Sequence, residues 1–139
     1  EVAIESQMDQ IRKMHTMHNV IPQVVTLSQA WSGWSDEGSM WKLPPKDFEV
    51  LLRKGKAFIE NNFSKDELGS KMIILDNWNE WSEGHYLAPY REYGFGYLDA
   101  VRKVFSHDPE KHDDLLPEDI GKGPYNMPEE LFEKKEQKK

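Results

Sequence analysis

The chain contains no cysteine. Disulfides and thiolate metal sites are therefore excluded, but the compartment is left open, since exported proteins too can lack cysteine. No apolar run approaches the roughly 20 residues that span a bilayer as a helix. Basic residues are the minority charge, 18 Lys and Arg against 25 Asp and Glu, giving a net charge of −7. That balance disfavours a nucleic-acid surface, which needs clustered Lys and Arg to displace phosphate counterions. Lysine is concentrated only in residues 133–139, which read as a solvated tail. There is no phosphate-cradling Gly-rich loop, no Asp-x-Asp motif of the kind that holds a nucleotide sugar through a metal, and no repeat of solenoid period. Glu1 is not an initiator, so a mature, truncated or proteolysed chain is expected.

Aromatic residues are plentiful. Five Trp, five Tyr and six Phe occur in 139 residues whose mean hydropathy is −0.80. Many of the rings fall between Trp31 and Tyr97. A hydrophobic share of 37% in a chain of this length is enough for one modest core and too little for two.

Residues 2–18 carry Ile4, Met8, Ile11 and then Met14 or His15 at the spacing of one buried helical stripe. Residues 20–27 form a β-branched apolar run broken by Pro22 and Gln23, read as a buried strand whose start Pro22 makes irregular. Residues 29–43 lack periodicity and read as a long loop, a feature usually functional in compact domains. Pro44 and Pro45 open a second helix with Phe48, Leu52, Gly55 and Ile59 on one face, ending near Asn61 and Asn62. Residues 71–75 are a short continuous apolar strand, of the kind buried on both faces in a parallel sheet. A second rich loop follows at residues 76–91, then a third helix marked by Tyr97, Leu98, Val101, Val104 and Phe105. Alternation of this type predicts an α/β fold with parallel strands and right-handed crossovers. Two strands make neither a barrel nor a durable open sheet, so pairing with further sequence is expected.

Chemistry concentrates directly after the second strand, where parallel α/β folds place their sites. The run Asp76, Asn77, Trp78, Asn79, Glu80, Trp81, Ser82, Glu83, Gly84 places two carboxylates three residues apart, on one side of a helical turn. Such a pair suits glycoside cleavage, in which one carboxyl group donates a proton while the other accepts one or attacks. Trp78 and Trp81 offer faces for sugar stacking and shielding of the acids, and Asn77 and Asn79 offer hydrogen bonds to hydroxyls. From spacing alone a second reading stands beside this one: solvated loop acids with Trp rings packed beneath them.

The run from Trp78 to Gly84, followed by Leu87, Pro89, Gly94, Tyr97, Leu98 and Ala100, resembles the carboxyl-terminal signature of family 99 glycoside hydrolases and their WbsX-like relatives. The resemblance covers about residues 22–105. It implies that residues 1–105 are the carboxyl-terminal β-α-β-α portion of a (β/α)8 TIM barrel and residues 106–139 an acidic extended tail. It further implies a retaining, endo-α-mannosidase-like glycoside hydrolase without cofactor or metal. In that family the residue matching Glu80 is the base that deprotonates the sugar 2-hydroxyl, which expels the leaving group through a 1,2-anhydro intermediate. The residue matching Glu83 is the acid that protonates the leaving oxygen and then activates water. Ser82, His85 and Tyr86 depart from the endomannosidase pattern.

Trp31, Trp34 and Trp41 are expected either to wall a sugar site or to anchor their loop. His85 and Tyr86 are candidates for substrate contact, each with a hydrogen-bonded structural role as the alternative. The pair His15 and His18, with Asp9, reads as a solvent-facing helix end rather than a metal site. The expected partner is an α-linked oligosaccharide or polysaccharide, with the rest of the barrel supplied by an amino-terminal part or another copy of the chain. Nucleic acid and a membrane span are not expected. A glycan-degrading bacterial enzyme would be periplasmic or secreted. The rival readings are a WbsX-like glycosyltransferase or accessory protein of polysaccharide assembly, and a non-catalytic carbohydrate-binding remnant.

Overall fold

In the computed structural model of the chain, residues 1–31 and 41–107 are described. Trp34 and the tail from residue 108 onward lie outside them.

The first helix, α1, runs Val2–His15 and buries Ile4, Met8 and Ile11, the stripe that the sequence predicts. It stops before His18, and Met14 is 53% exposed. The first strand, β1, is Val25–Ser28, shorter than the predicted residues 20–27. Val20 and Ile21 instead stand 79% and 62% exposed in the turn after α1, so an apolar β-branched run there does not make a strand. Two short strands follow, β2 at Ala30–Trp31 and β3 at Trp41–Lys42, paired antiparallel with Trp31 opposite Trp41. Helix α2, Pro45–Asn62, opens at the predicted proline and buries Phe48, Leu51, Leu52 and Gly55. Strand β4 is Ile73–Asp76 and helix α3 is Gly96–Phe105.

The fold is a mixed α/β arrangement with two small sheets. β1 and β4 pair parallel, Val25 with Ile73 through Ser28 with Asp76, as the helix-strand alternation predicts. No closed barrel is present among the described residues. One face of the pair, Val25 and Leu27 with Ile73 and Leu75, packs into a core shared with α1, α2 and α3. Leu27, Phe48, Leu51 and Leu52 are fully enclosed, each stabilising by roughly 1.5–3 kcal/mol relative to exposure. Close approach of α2 to β1 depends on Gly55, where a β-carbon would come within 2.6 Å of Leu27 Cδ1.

The other face of the pair is open. Thr26 is exposed, Ile74 is 42% exposed and Met72, just before the strand, is 46% exposed. This corrects the expectation of burial on both faces: a continuous apolar strand here has a helical layer on one side only. The outer edge of β1 is held by the Gln7 side chain, whose Nε2 donates to Ser28 O at 3.0 Å while its Oε1 accepts from Ser28 N at 3.0 Å.

Candidate functional site

Because β1 and β4 run parallel, the segments after Ser28 and Asp76 leave the sheet at the same end. The β2–β3 ribbon grows from one and the acidic motif from the other. The Asp76–Asn77 peptide bond is cis. Beyond it a single turn of 3-10 helix, Trp81–Glu83, closes on Gly84, whose φ of 71° is the left-handed conformation that glycine adopts without strain. The chain then folds back. Glu80 N donates to His85 O at 3.2 Å, and Leu87 N donates to Asn77 O and Trp78 O at 2.8 and 3.0 Å. Glu80 and Glu83 are thus the first and last residues of one tight turn, with Glu83 N donating to Glu80 O at 3.3 Å.

Their surroundings differ. Glu80 is exposed, and its Oε1 accepts a hydrogen bond from Ser82 Oγ at 2.7 Å. Glu83 is half-buried, and its Oε2 lies 2.7 Å from His85 Nε2. His85 is 5% exposed, and its Nδ1 lies 3.1 Å from Asp76 Oδ2. Burial alone pushes the imidazole pKa down; the hydrogen bonds to Glu83 and Asp76 outweigh it and hold the pKa above the usual histidine value. His85, a candidate for substrate contact in the sequence, is enclosed between two carboxylates. Asp76 was not singled out for a role; the signal for it is an acid at the carboxyl end of the apolar strand.

The aromatic residues divide in two. Trp78 and Trp81 are 55% and 51% exposed, so they present faces to solvent rather than covering the acids. Tyr86, half-buried, packs on Trp81 with centroids 4.4 Å apart and meets Tyr90 edge-on at 4.5 Å. Lys42 of β3 reaches into this cluster. Its Nζ lies 5.7, 5.1 and 5.0 Å from the rings of Tyr86, Tyr90 and Tyr93, and 2.5 Å from Glu92 Oε2. Here desolvation, which lowers an ammonium pKa, is outweighed by the hydrogen bond to Glu92 and by charge interaction with Tyr86 and Glu92, leaving Lys42 raised. Below it, the buried Tyr97 hydroxyl donates to Leu43 O at 2.8 Å. The two loops are therefore joined through Lys42, Leu43 and four tyrosines. Sequence reading missed this, because a lysine and dispersed tyrosines carry no spacing signal.

Asn77 is half-buried and Asn79 exposed; the backbone carbonyl of each is engaged within the turn. Trp31 is half-buried in the ribbon opposite Trp41, and Trp34 lies outside the described residues. Gln29, at the root of the ribbon, is 1% exposed, and neither end of its carboxamide meets a hydrogen-bond partner among the described residues. A pocket of about 490 Å³ lies beside the ribbon, lined by Trp41, Lys42 and Leu43 together with the start of α1. Glu80 and Glu83 do not line it. His15 and His18 stack at 5.1 Å against Phe58 and Phe63, half-buried rather than solvent-facing, and His18 Nε2 bonds Glu67 at 2.8 Å. Among the described residues no group of three or more His, Cys, Asp or Glu is arranged to hold a metal ion, and no helix is long and apolar enough to cross a membrane.

Comparison with known proteins places residues 34–101 in match with the family described as Glycosyltransferase WbsX. The matched segment runs through α2, β4, the acidic motif and into α3. It points to a carbohydrate-related function. Two curated relatives, both described as uncharacterized protein WxcX and from two strains of Xanthomonas campestris pv. campestris, B100 among them, are 29% identical over 52 residues. That alignment takes in 37% of this chain and 8% of each relative, so the chain corresponds to a small part of their length. No solved structure matches the chain.

Proposed function

We propose that this chain carries the acid/base carboxylates of a retaining glycoside hydrolase acting on α-linked glycans, within a longer polypeptide whose remaining strands complete a (β/α)8 barrel. The observation that carries the reading is the asymmetric pair at the carboxyl end of β4. Among the described residues the Glu80 carboxylate is exposed and accepts from a hydroxyl, suited to accept a proton, whereas Glu83 is half-buried and hydrogen-bonded to an imidazole through which a proton can reach it. Glu80 would take the proton of the sugar 2-hydroxyl, whose oxygen then closes on the anomeric carbon as the glycosidic bond breaks. Glu83 would give its proton to the departing oxygen and afterwards take one from the water that opens the 1,2-anhydro ring, while Glu80 returns its proton to the freed 2-oxygen. Exposed Trp78 and Trp81, with Tyr86 beside them, supply flat apolar faces for pyranose rings next to the acids. The resemblance to family 99 hydrolases belongs to this proposal, as does the endo-α-mannosidase-like specificity.

The family description favours a second reading, sugar transfer during polysaccharide assembly. The two differ in what the full-length protein consumes. Incubated with α-mannan oligosaccharides and, separately, with nucleotide sugars plus an oligosaccharide acceptor, the hydrolase shortens the oligosaccharide without a nucleotide donor. Product lengthening that depends on the donor identifies the transferase and rejects the proposal.

A further inference from the structure

His85 is placed to do more than brace the turn. Both of its ring nitrogens face carboxylates, Asp76 at 3.1 Å and Glu83 at 2.7 Å, in a residue only 5% exposed. An ionised carboxylate only accepts hydrogen bonds, so an imidazole between two of them is satisfied in two ways. In one, an imidazolium donates to both. In the other, the neutral ring donates from Nδ1 to Asp76 while Nε2 accepts from a protonated Glu83. The two arrangements hold the same number of protons and differ by the transfer of one proton across the Nε2–Oε2 hydrogen bond. Removing that proton leaves a lone pair on Nε2 facing a carboxylate, which is repulsive in a partly buried site.

We infer that His85 is a positioning residue that holds one proton in common with Glu83, so that Glu83 has its acid form within reach at neutral pH through the imidazole. The inference rests on the assignment of Glu83 as general acid. It supplies what exposed tryptophans do not, a proton source beside this carboxyl group, one hydrogen bond of 2.7 Å away on His85 Nε2. Proton balance closes over the reaction. Glu83 releases the shared proton to the leaving oxygen, the Glu83–His85 pair is then one proton short, and the water that opens the anhydro ring restores it. Asp76 anchors the arrangement, since it is the last residue of β4 and pairs in register with Ser28. Among the described residues the titratable groups facing His85 are Asp76 from β4 and Glu83 from the 3-10 turn; Glu80 meets it through the backbone, its carboxylate being bonded to Ser82. The raised imidazole pKa agrees with this geometry.

The test is a pH titration of the His85 ring by NMR in the full-length protein carrying ¹⁵N-labelled histidine, in the wild type, Glu83→Gln and Asp76→Asn. The wild-type midpoint is expected above the ordinary 6.5, and Glu83→Gln should lower it measurably. The wild-type ring nitrogens should also show shifts of an imidazolium or a shared proton at pH 7, a measurement that needs no variant to fold. A midpoint at or below the ordinary value, a single neutral tautomer at pH 7, or no response to Glu83→Gln would overturn the inference. Failure of the parent reading looks different. If hydrolysis survives Glu83→Gln, the acid assignment falls whatever the titration shows; if hydrolysis is lost and the midpoint is unmoved, the shared proton alone is rejected.

Discussion

Gly69 sits so close to Gln23 that a β-carbon on it would lie 2.5 Å from the Gln23 carbonyl oxygen, and it would also collide with the Phe63 ring. The contact joins the short helix Leu68–Ser70, which leads into β4, to the segment that leads into β1. It therefore fixes the amino-terminal ends of the parallel pair whose carboxyl ends deliver the two loops. Because the obstacle includes backbone, Gly69→Ala is expected to destabilise by about 1–3 kcal/mol, read as a lower urea midpoint. Gly94, with open space around its β-position and a φ of 51°, provides the contrast. There alanine meets backbone strain without a clash, so the smaller loss is expected.

Tyr97→Phe removes the donor to Leu43 O and leaves that carbonyl unpaired in a buried position. The expected loss is about 1–2 kcal/mol of stability. Since Leu43 follows the ribbon and Tyr97 begins α3, hydrogen exchange in the β2–β3 ribbon should also accelerate. Unchanged exchange there would mean that Lys42 and its tyrosine cluster suffice to hold the loops together.

The pH dependence of stability should carry the mark of His85. Its folded pKa lies above the unfolded value, so its contribution is fully present below about 6.5 and is lost as pH rises through the folded value. The difference in melting temperature between wild type and His85→Gln is thus expected to shrink from pH 6 toward pH 9. A difference that grows over that range would reverse the sign and remove the imidazolium from the account.

What was legible in the sequence was periodic or punctuated. The stripe of Ile4, Met8 and Ile11 and the proline start of α2 appear as predicted, because burial of one helical face and a missing amide donor act locally. The strand ends were not legible. Val20 and Ile21 have strand propensity but no strand beside them, whereas Val25 and Leu27 face Ile73 and Leu75 across the pair and α2 beneath. In the site, the spacing of Glu80 and Glu83 was readable from the motif. The enclosure of His85 was not, since it depends on Asp76, nine residues earlier, and on a turn closed by Gly84.

Separate roles for Glu80 and Glu83 predict different responses to good and poor leaving groups. In the full-length protein, an amide at residue 83 keeps shape and hydrogen bonding but cannot transfer a proton. Glu83→Gln is therefore expected to abolish cleavage of an α-mannan oligosaccharide while partly sparing an activated aryl α-mannoside, whose leaving group needs little protonation. Glu80→Gln should impair both substrates, because the 2-hydroxyl must lose its proton whichever group departs. The most direct measurement is the ratio of kcat/KM for the aryl glycoside to that for the oligosaccharide, in wild type and both variants. The ratio is expected to rise by about two orders of magnitude or more in Glu83→Gln, the scale of general acid catalysis, and to stay near wild type in Glu80→Gln. Equal losses on both substrates in Glu83→Gln, or near-wild-type activity in either variant, would contradict those separate roles.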